Sequence, residues 1–147
     1  MKKNKIKDTG LEVTELSFGT SSLGSMPDTY GYEVSEDRAQ KTLNRFFQGP
    51  VNMLDTSRNY AMGESEKRIG KAIKENGGWP NGFLLSTKLD RNMDTLVLDK
   101  NRVRESLEES LKTLNVDSVD ILFLHDPEYA KDITDITKKD GAMDELF

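Results

Sequence analysis

Cysteine is missing from the 147 residues altogether, and histidine occurs once, at His125. The first absence removes disulfide frameworks, thiolate nucleophiles and zinc-thiolate sites, and the cytoplasm is the expected compartment. No apolar run approaches the roughly 20 residues that cross a bilayer, so no membrane partner is expected. Basic charge is not in excess either. With 26 acidic against 21 basic residues the formal charge is −5, which argues against nucleic acid as a partner. The basic start at Met1 to Lys7 runs into Asp8-Thr9-Gly10-Leu11-Glu12 with no apolar segment, so it does not read as a signal peptide.

What is present is an alternation of strand and helix signals. Lys5 to Lys7 and Leu11 to Thr14, joined by Asp8-Thr9-Gly10, read as a small hairpin. Leu16 to Thr20 reads as a first core strand, followed by a long loop through Gly24, Ser25 and Gly31. Ala39, Leu43, Phe46 and Phe47 then recur at helical spacing, with Ser35 placed to cap the helix and Gly49-Pro50 to end it. A strand at Met53-Leu54 leads to a helix from about Ser65, buried through Ile69, Ala72 and Ile73 and stopped at Gly77-Gly78. A strand at Phe83 to Thr87 leads to Asp99 and a helix with Val103, Leu107, Leu111 and Leu114 on one face, ending at Asn115 as a left-handed cap. The strand Val119 to Leu124 is apolar almost without alternation, the pattern of a strand buried on both faces. A last helical pattern starts at Gly141 and runs to Phe147.

Serial βα units imply an α/β fold with a parallel sheet and right-handed crossovers. Both an open doubly wound sheet and half of a closed barrel satisfy that pattern. The first strand lacks the Gly-x-Gly-x-x-Gly turn of a Rossmann site. The length suggests one domain, short of the roughly 250 residues of a complete eight-fold barrel.

Three apolar runs end on chemistry-bearing residues. Asp55 follows Met53-Leu54, Lys88 follows the run from Phe83, and His125 follows Ile121 to Leu124, so all would emerge at one C-terminal sheet edge. Tyr60 follows Asp55 closely. Singly these residues are ordinary: Asp55 could cap a turn, and a lone histidine is commonly structural. Together they fit acid–base chemistry on a carbonyl and alcohol pair. A tyrosine that exchanges a proton near neutrality needs a cation beside it, which Lys88 could be; Asp55 could hold Lys88 charged, and His125 could donate to a carbonyl. The hydride would come from elsewhere.

Asp55-Thr56-Ser57-Arg58-Asn59-Tyr60, Gly63-Glu64-Ser65-Glu66-Lys67-Arg68-Ile69-Gly70, Ser86-Thr87-Lys88 and Asp117 to His125, in that order, resemble the aldo-keto reductase family. Gly10 to Thr20 also resembles that family's opening hairpin and first strand. The resemblance looks closer to bacterial aldose and pyridoxal dehydrogenase-like members than to vertebrate aldose reductases. It implies the first half of a (β/α)8 TIM barrel: about four βα units after an N-terminal hairpin, with residues 1–147 a partial barrel domain whose C-terminal half is absent. It further implies NAD(P)-dependent hydride transfer on a small carbonyl or sugar substrate. Tyr60 would be the general acid–base, Lys88 and Asp55 would tune it, and His125 would position the carbonyl. Gly19, Thr20 and Asp55 would touch the nicotinamide end of NADP or NAD. A half barrel exposes two sheet edges, so self-association is expected, and the alternative function is a truncated, non-catalytic interaction or self-assembling module.

Overall fold

The computed structural model describes residues 1–146; Phe147, assigned above to a final helix, lies outside the described residues. Four strands form one parallel sheet in the order β3 (Phe18–Gly19), β4 (Met53–Asp55), β5 (Leu84–Leu89) and β6 (Ile121–Leu124). Spatial order follows chain order. Three long helices, α2 (Glu36–Phe47), α3 (Glu64–Glu75) and α4 (Lys100–Leu114), connect consecutive strands. All three pack on the same face: Leu43 and Phe46 from α2, Ile69 and Ile73 from α3, and Leu114 from α4 share one apolar cluster with Leu54 and Leu85 of the sheet. A doubly wound sheet would place helices on both faces, so this arrangement selects the barrel-type alternative.

The helices start and stop where their end residues direct. The Ser35 hydroxyl accepts from Arg38 N at 3.2 Å, and the Asp99 carboxylate accepts from Arg102 N at 2.9 Å. Asn115 closes α4 in the left-handed conformation at φ +58°. Gly70 lets α3 approach α4 closely, since a Cβ there would lie 2.0 Å from Thr113 O.

An antiparallel hairpin of β1 (Lys3–Lys5) and β2 (Glu12–Thr14) lies by the N-terminal ends of β4 and β5. Asn52 joins it to the sheet. Its Oδ1 accepts from Thr14 N at 2.8 Å, and its Nδ2 donates to Glu12 O at 2.9 Å and Gly82 O at 3.1 Å.

Several expected boundaries shift. The first hairpin strand lies at Lys3–Lys5 rather than Lys5 to Lys7, because Lys7–Thr9 wind into a 3-10 turn closed by Gly10 at φ +78°. The segment from Gly141 to Leu146 forms turns, not a helix; the short helices are α1 (Pro27–Tyr30) and α5 (Thr134–Thr137). β6 is not buried on both faces. Among the described residues it pairs with β5 alone, as an edge strand, and Phe123 is 50% exposed on it. An apolar run reports what a strand could bury, and the second face is left without a covering layer.

Candidate active site

Strand pairing sorts the side chains into two sets, because successive residues of a strand point to opposite faces. Gly19, Asp55, Ser86 and Ile121 align in register across the sheet, and Lys88 aligns with Phe123. These residues face away from the helices, whereas Leu54, Leu85 and Leu89 are buried toward them. Asp55 is the last residue of β4. Lys88 lies inside β5 rather than after it, because pairing with β6 continues to Leu89 opposite Leu124. His125 follows β6 directly, and its N donates to Leu89 O at 3.0 Å.

Lys88 Nζ donates to Asp55 Oδ2 at 2.7 Å and to Thr56 O at 2.8 Å. The second Asp55 oxygen, Oδ1, accepts from the Ser86 hydroxyl at 2.9 Å. The Lys88 ammonium also lies 4.9 Å from the centre of the Tyr60 ring. On the far side, Tyr60 and His125 meet edge to face with centroids 5.7 Å apart. The four residues singled out in the sequence therefore converge. Among the described residues the Tyr60 hydroxyl has no hydrogen-bond partner, and the hydrogen bonds of the Lys88 ammonium go to Asp55 and Thr56.

The backbone aims Tyr60 at some cost. Ala61 and Met62 both adopt left-handed conformations, at φ +51° and +53°, and each non-glycine residue there costs roughly 1–2 kcal/mol. Gly24 makes the fit possible. A Cβ on it would lie 2.4 Å from Ala61 Cβ and 2.9 Å from Ser65 N. The loop that carries Gly24 is tied to α3 by Arg68, whose Nη1 donates to Leu23 O at 2.7 Å and Val34 O at 2.8 Å.

Gly19 and Asp55 leave an open rim beside Lys88, since a Cβ built on Gly19 meets nothing within 4 Å. That opening leaves room for a flat ring to lie against the backbone. Thr20 is turned inward, 1% exposed, and its hydroxyl donates to Asp55 O at 2.9 Å. Its position suits it to hold the end of β4 rather than to reach a ligand.

Two participants were not singled out in the sequence. Asp90, 1% exposed, pairs through Oδ1 with His125 Nδ1, and its Oδ2 accepts from the Ser57 hydroxyl at 2.9 Å and Asn59 N at 3.2 Å. Ser57 Oγ lies 2.9 Å from the same imidazole nitrogen. Their signal was spacing: Asp90 stands two residues beyond Lys88, hence on the same sheet face, and Ser57 two beyond Asp55.

Residues 15–146 match the aldo/keto reductase family. The chain belongs to that family. Among its relatives, L-galactose dehydrogenase of Arabidopsis thaliana is 38% identical over 122 residues, covering 83% of this chain and 37% of that protein. Aldo-keto reductase YhdN of Bacillus subtilis (strain 168) is 31% identical, covering 100% of this chain and 44% of its own length. An aldo-keto reductase of Bacillus halodurans, solved in its holo form, superposes with a TM-score of 0.68 at 26% identity, covering 97% of this chain and 48% of that one. The chain thus spans less than half the length of these relatives, and its fold is the first half of the aldo-keto reductase TIM barrel.

Proposed function

We propose that this chain carries the proton-handling side of an NAD(P)-dependent oxidoreductase that interconverts a carbonyl and an alcohol on a small sugar or aldehyde. The position of Lys88 carries the reading: one ammonium is held by Asp55 Oδ2 at 2.7 Å and by Thr56 O, and lies 4.9 Å from the Tyr60 ring centre. Tyr60 exchanges the proton through its unpartnered hydroxyl. Lys88 sets a positive charge beside that ring, Asp55 and Ser86 keep the ammonium in place, and His125 faces the reacting oxygen. NADP or NAD supplies or removes the hydride when bound, with Gly19 and Asp55 at its nicotinamide end and Thr20 bracing Asp55 from behind. The name of one relative, L-galactose dehydrogenase, supports a sugar as substrate. The cysteine-free, acidic composition supports a cytoplasmic setting. Among the described residues no helix is long and apolar enough to cross a membrane.

A specific feature supports a second reading, a self-assembling half barrel. Among the described residues β3 and β6 each pair on one side only, and Leu16 and Phe123 are exposed near those edges at 63% and 50%.

The test is a fluorescence titration of the purified chain with NADPH and with NADH, followed by turnover assays on aldehydes and sugars. Saturable binding would support the reading, and in whatever assembly turns over, Tyr60→Phe should cut turnover by about 10²–10⁴-fold while leaving binding unchanged. Turnover retained by the variant would overturn the assignment of Tyr60. A chain that never saturates with either cofactor would remove the oxidoreductase reading for this chain and leave the self-assembling one.

A further inference from the structure

The surroundings of His125 fix the placement of protons on its ring. Asp90 is nearly sealed from solvent, and its carboxylate is surrounded by donors: the Ser57 hydroxyl and Asn59 N on Oδ2, and the imidazole Nδ1 against Oδ1. A hydroxyl has one proton, and that of Ser57 is committed to Asp90 Oδ2. Ser57 Oγ is then left as an acceptor, for Asn59 N at 3.1 Å and for Nδ1 at 2.9 Å. An unprotonated Nδ1 would oppose its lone pair to those of both Asp90 Oδ1 and Ser57 Oγ. The only assignment without such a clash puts a proton on Nδ1. Among the described residues Nε2 has no comparable partner. The nearest carboxylate, Asp126 Oδ2, is 3.9 Å away, beyond hydrogen-bond range, and the Tyr60 ring meets the imidazole edge to face.

We propose that Asp90 is a positioning residue that holds neutral His125 as its Nδ1–H tautomer, so that a bare Nε2 faces the open rim and accepts a hydrogen bond from a substrate hydroxyl. A neutral imidazole donates from one nitrogen and accepts at the other, and the partner of one decides the role of the second. The alcohol form of the substrate is therefore the one matched by neutral His125, whereas a carbonyl oxygen needs the doubly protonated ring. This qualifies the expectation that His125 donates to a carbonyl: with the proton on Nδ1, that donation needs a second proton on Nε2. Asp90 is itself held rigidly by α4: its N donates to Ser106 Oγ at 2.9 Å, and its O accepts from Arg102 Nε at 3.0 Å. The hydroxyl clause rests on the proposed place of His125 at the reacting oxygen; the tautomer does not.

Because His125 is the only histidine, a long-range proton–nitrogen correlation spectrum of the 15N-labelled chain reports this one ring without assignment. At a pH where the imidazole is neutral, the expected spectrum shows a protonated Nδ1 and a bare Nε2, the reverse of the tautomer that free imidazole side chains favour. Asp90→Leu should invert it, since Ser57 is then released to donate to Nδ1. Ser57→Ala should leave it unchanged, because Asp90 remains. A protonated Nε2 in the parent chain, or an Asp90→Leu spectrum like that of the parent, would overturn the proposal. If Asp90→Leu does not fold, the parent and Ser57→Ala spectra still decide it. Failure to bind NADPH would defeat the proposed oxidoreduction and leave this spectrum as it is, so the two readings fail separately.

Discussion

The two faces of the parallel sheet are made by the same strands and treated differently. On β5, Leu85, Thr87 and Leu89 point toward the helices and are at most 1% exposed; Ser86 and Lys88 point the other way and are spent on Asp55. The helix side is closed by apolar packing, which is non-directional and forgiving of chemistry. The open side is ordered by hydrogen bonds that must each find a partner. Its unspent atoms, the Tyr60 hydroxyl and His125 Nε2, are the ones that chemistry would use. The side-chain period of a strand thereby separates the packing from the proposed chemistry, and substitutions on the two faces should differ in kind.

The largest effect is expected on the packed face. Leu54 is fully buried where α2, α3 and the sheet meet, so Leu54→Ala should cost about 2–5 kcal/mol, read as a shift of the urea midpoint at unchanged slope. A cost near zero would mean that the helix layer does not depend on this contact. Next comes Gly70→Ala, whose Cβ would stand 2.0 Å from Thr113 O and 3.1 Å from Leu114 Cα. Backbone must move there, and overpacking of this kind costs roughly 1–3 kcal/mol.

A third, smaller effect concerns the one carboxylate on the packed face. Glu66 is fully buried; its Oε1 accepts from the Thr87 hydroxyl at 2.7 Å, while Oε2 has no hydrogen-bond partner among the described residues. Burial raises its pKa, only partly offset by the hydroxyls of Thr87 and Ser110 and by the Arg58 charge. A carboxyl raised in the folded state favours folding in acid, and that contribution is lost as pH climbs from the ordinary carboxyl range through the folded value. Glu66→Gln keeps the acceptor for Thr87 and offers Ser110 Oγ a donor. The variant should match the parent in acid and exceed it at neutral pH, in urea midpoints measured across that range. Equal midpoints at neutral pH would show that the ionised carboxylate finds solvation within the fold.

How far the sequence could be read follows the same division. α2 and α4 were legible to within a residue, because Ser35, Asp99 and Asn115 act on their own local backbone. Asp55, Tyr60, Lys88 and His125 were legible as a group, because strand ends in a parallel sheet share one rim. Asp90 was only partly legible: its spacing from Lys88 gives its face, but no local pattern encodes its meeting with His125 across 35 residues of chain. The exposure of Phe123 was misread because an apolar strand looks the same whether or not a second layer covers it. The helix expected from Gly141 gives way to turns: Ala142 N and Met143 N fold back onto Asp135 O and Ile136 O, and Leu146 N closes a tight turn on Met143 O.

The smallest effect on folding, and the sharpest contrast with Leu54, is expected at Phe123. Half exposed on an edge strand of the open face, it has little packing to lose, so Phe123→Ser should move the urea midpoint by no more than about 0.5 kcal/mol. Its effect on association should be larger. If two copies cover one another's open faces, sedimentation of the parent chain will show a compact dimer and Phe123→Ser will shift it toward monomer, because the substitution removes apolar area that pairing would bury. A parent chain that sediments as a monomer at every concentration would exclude pairing. The open face would then stand exposed in isolation, and the comparison between the faces would reduce to one packed layer and one polar surface that carries Asp55, Tyr60, Lys88 and His125.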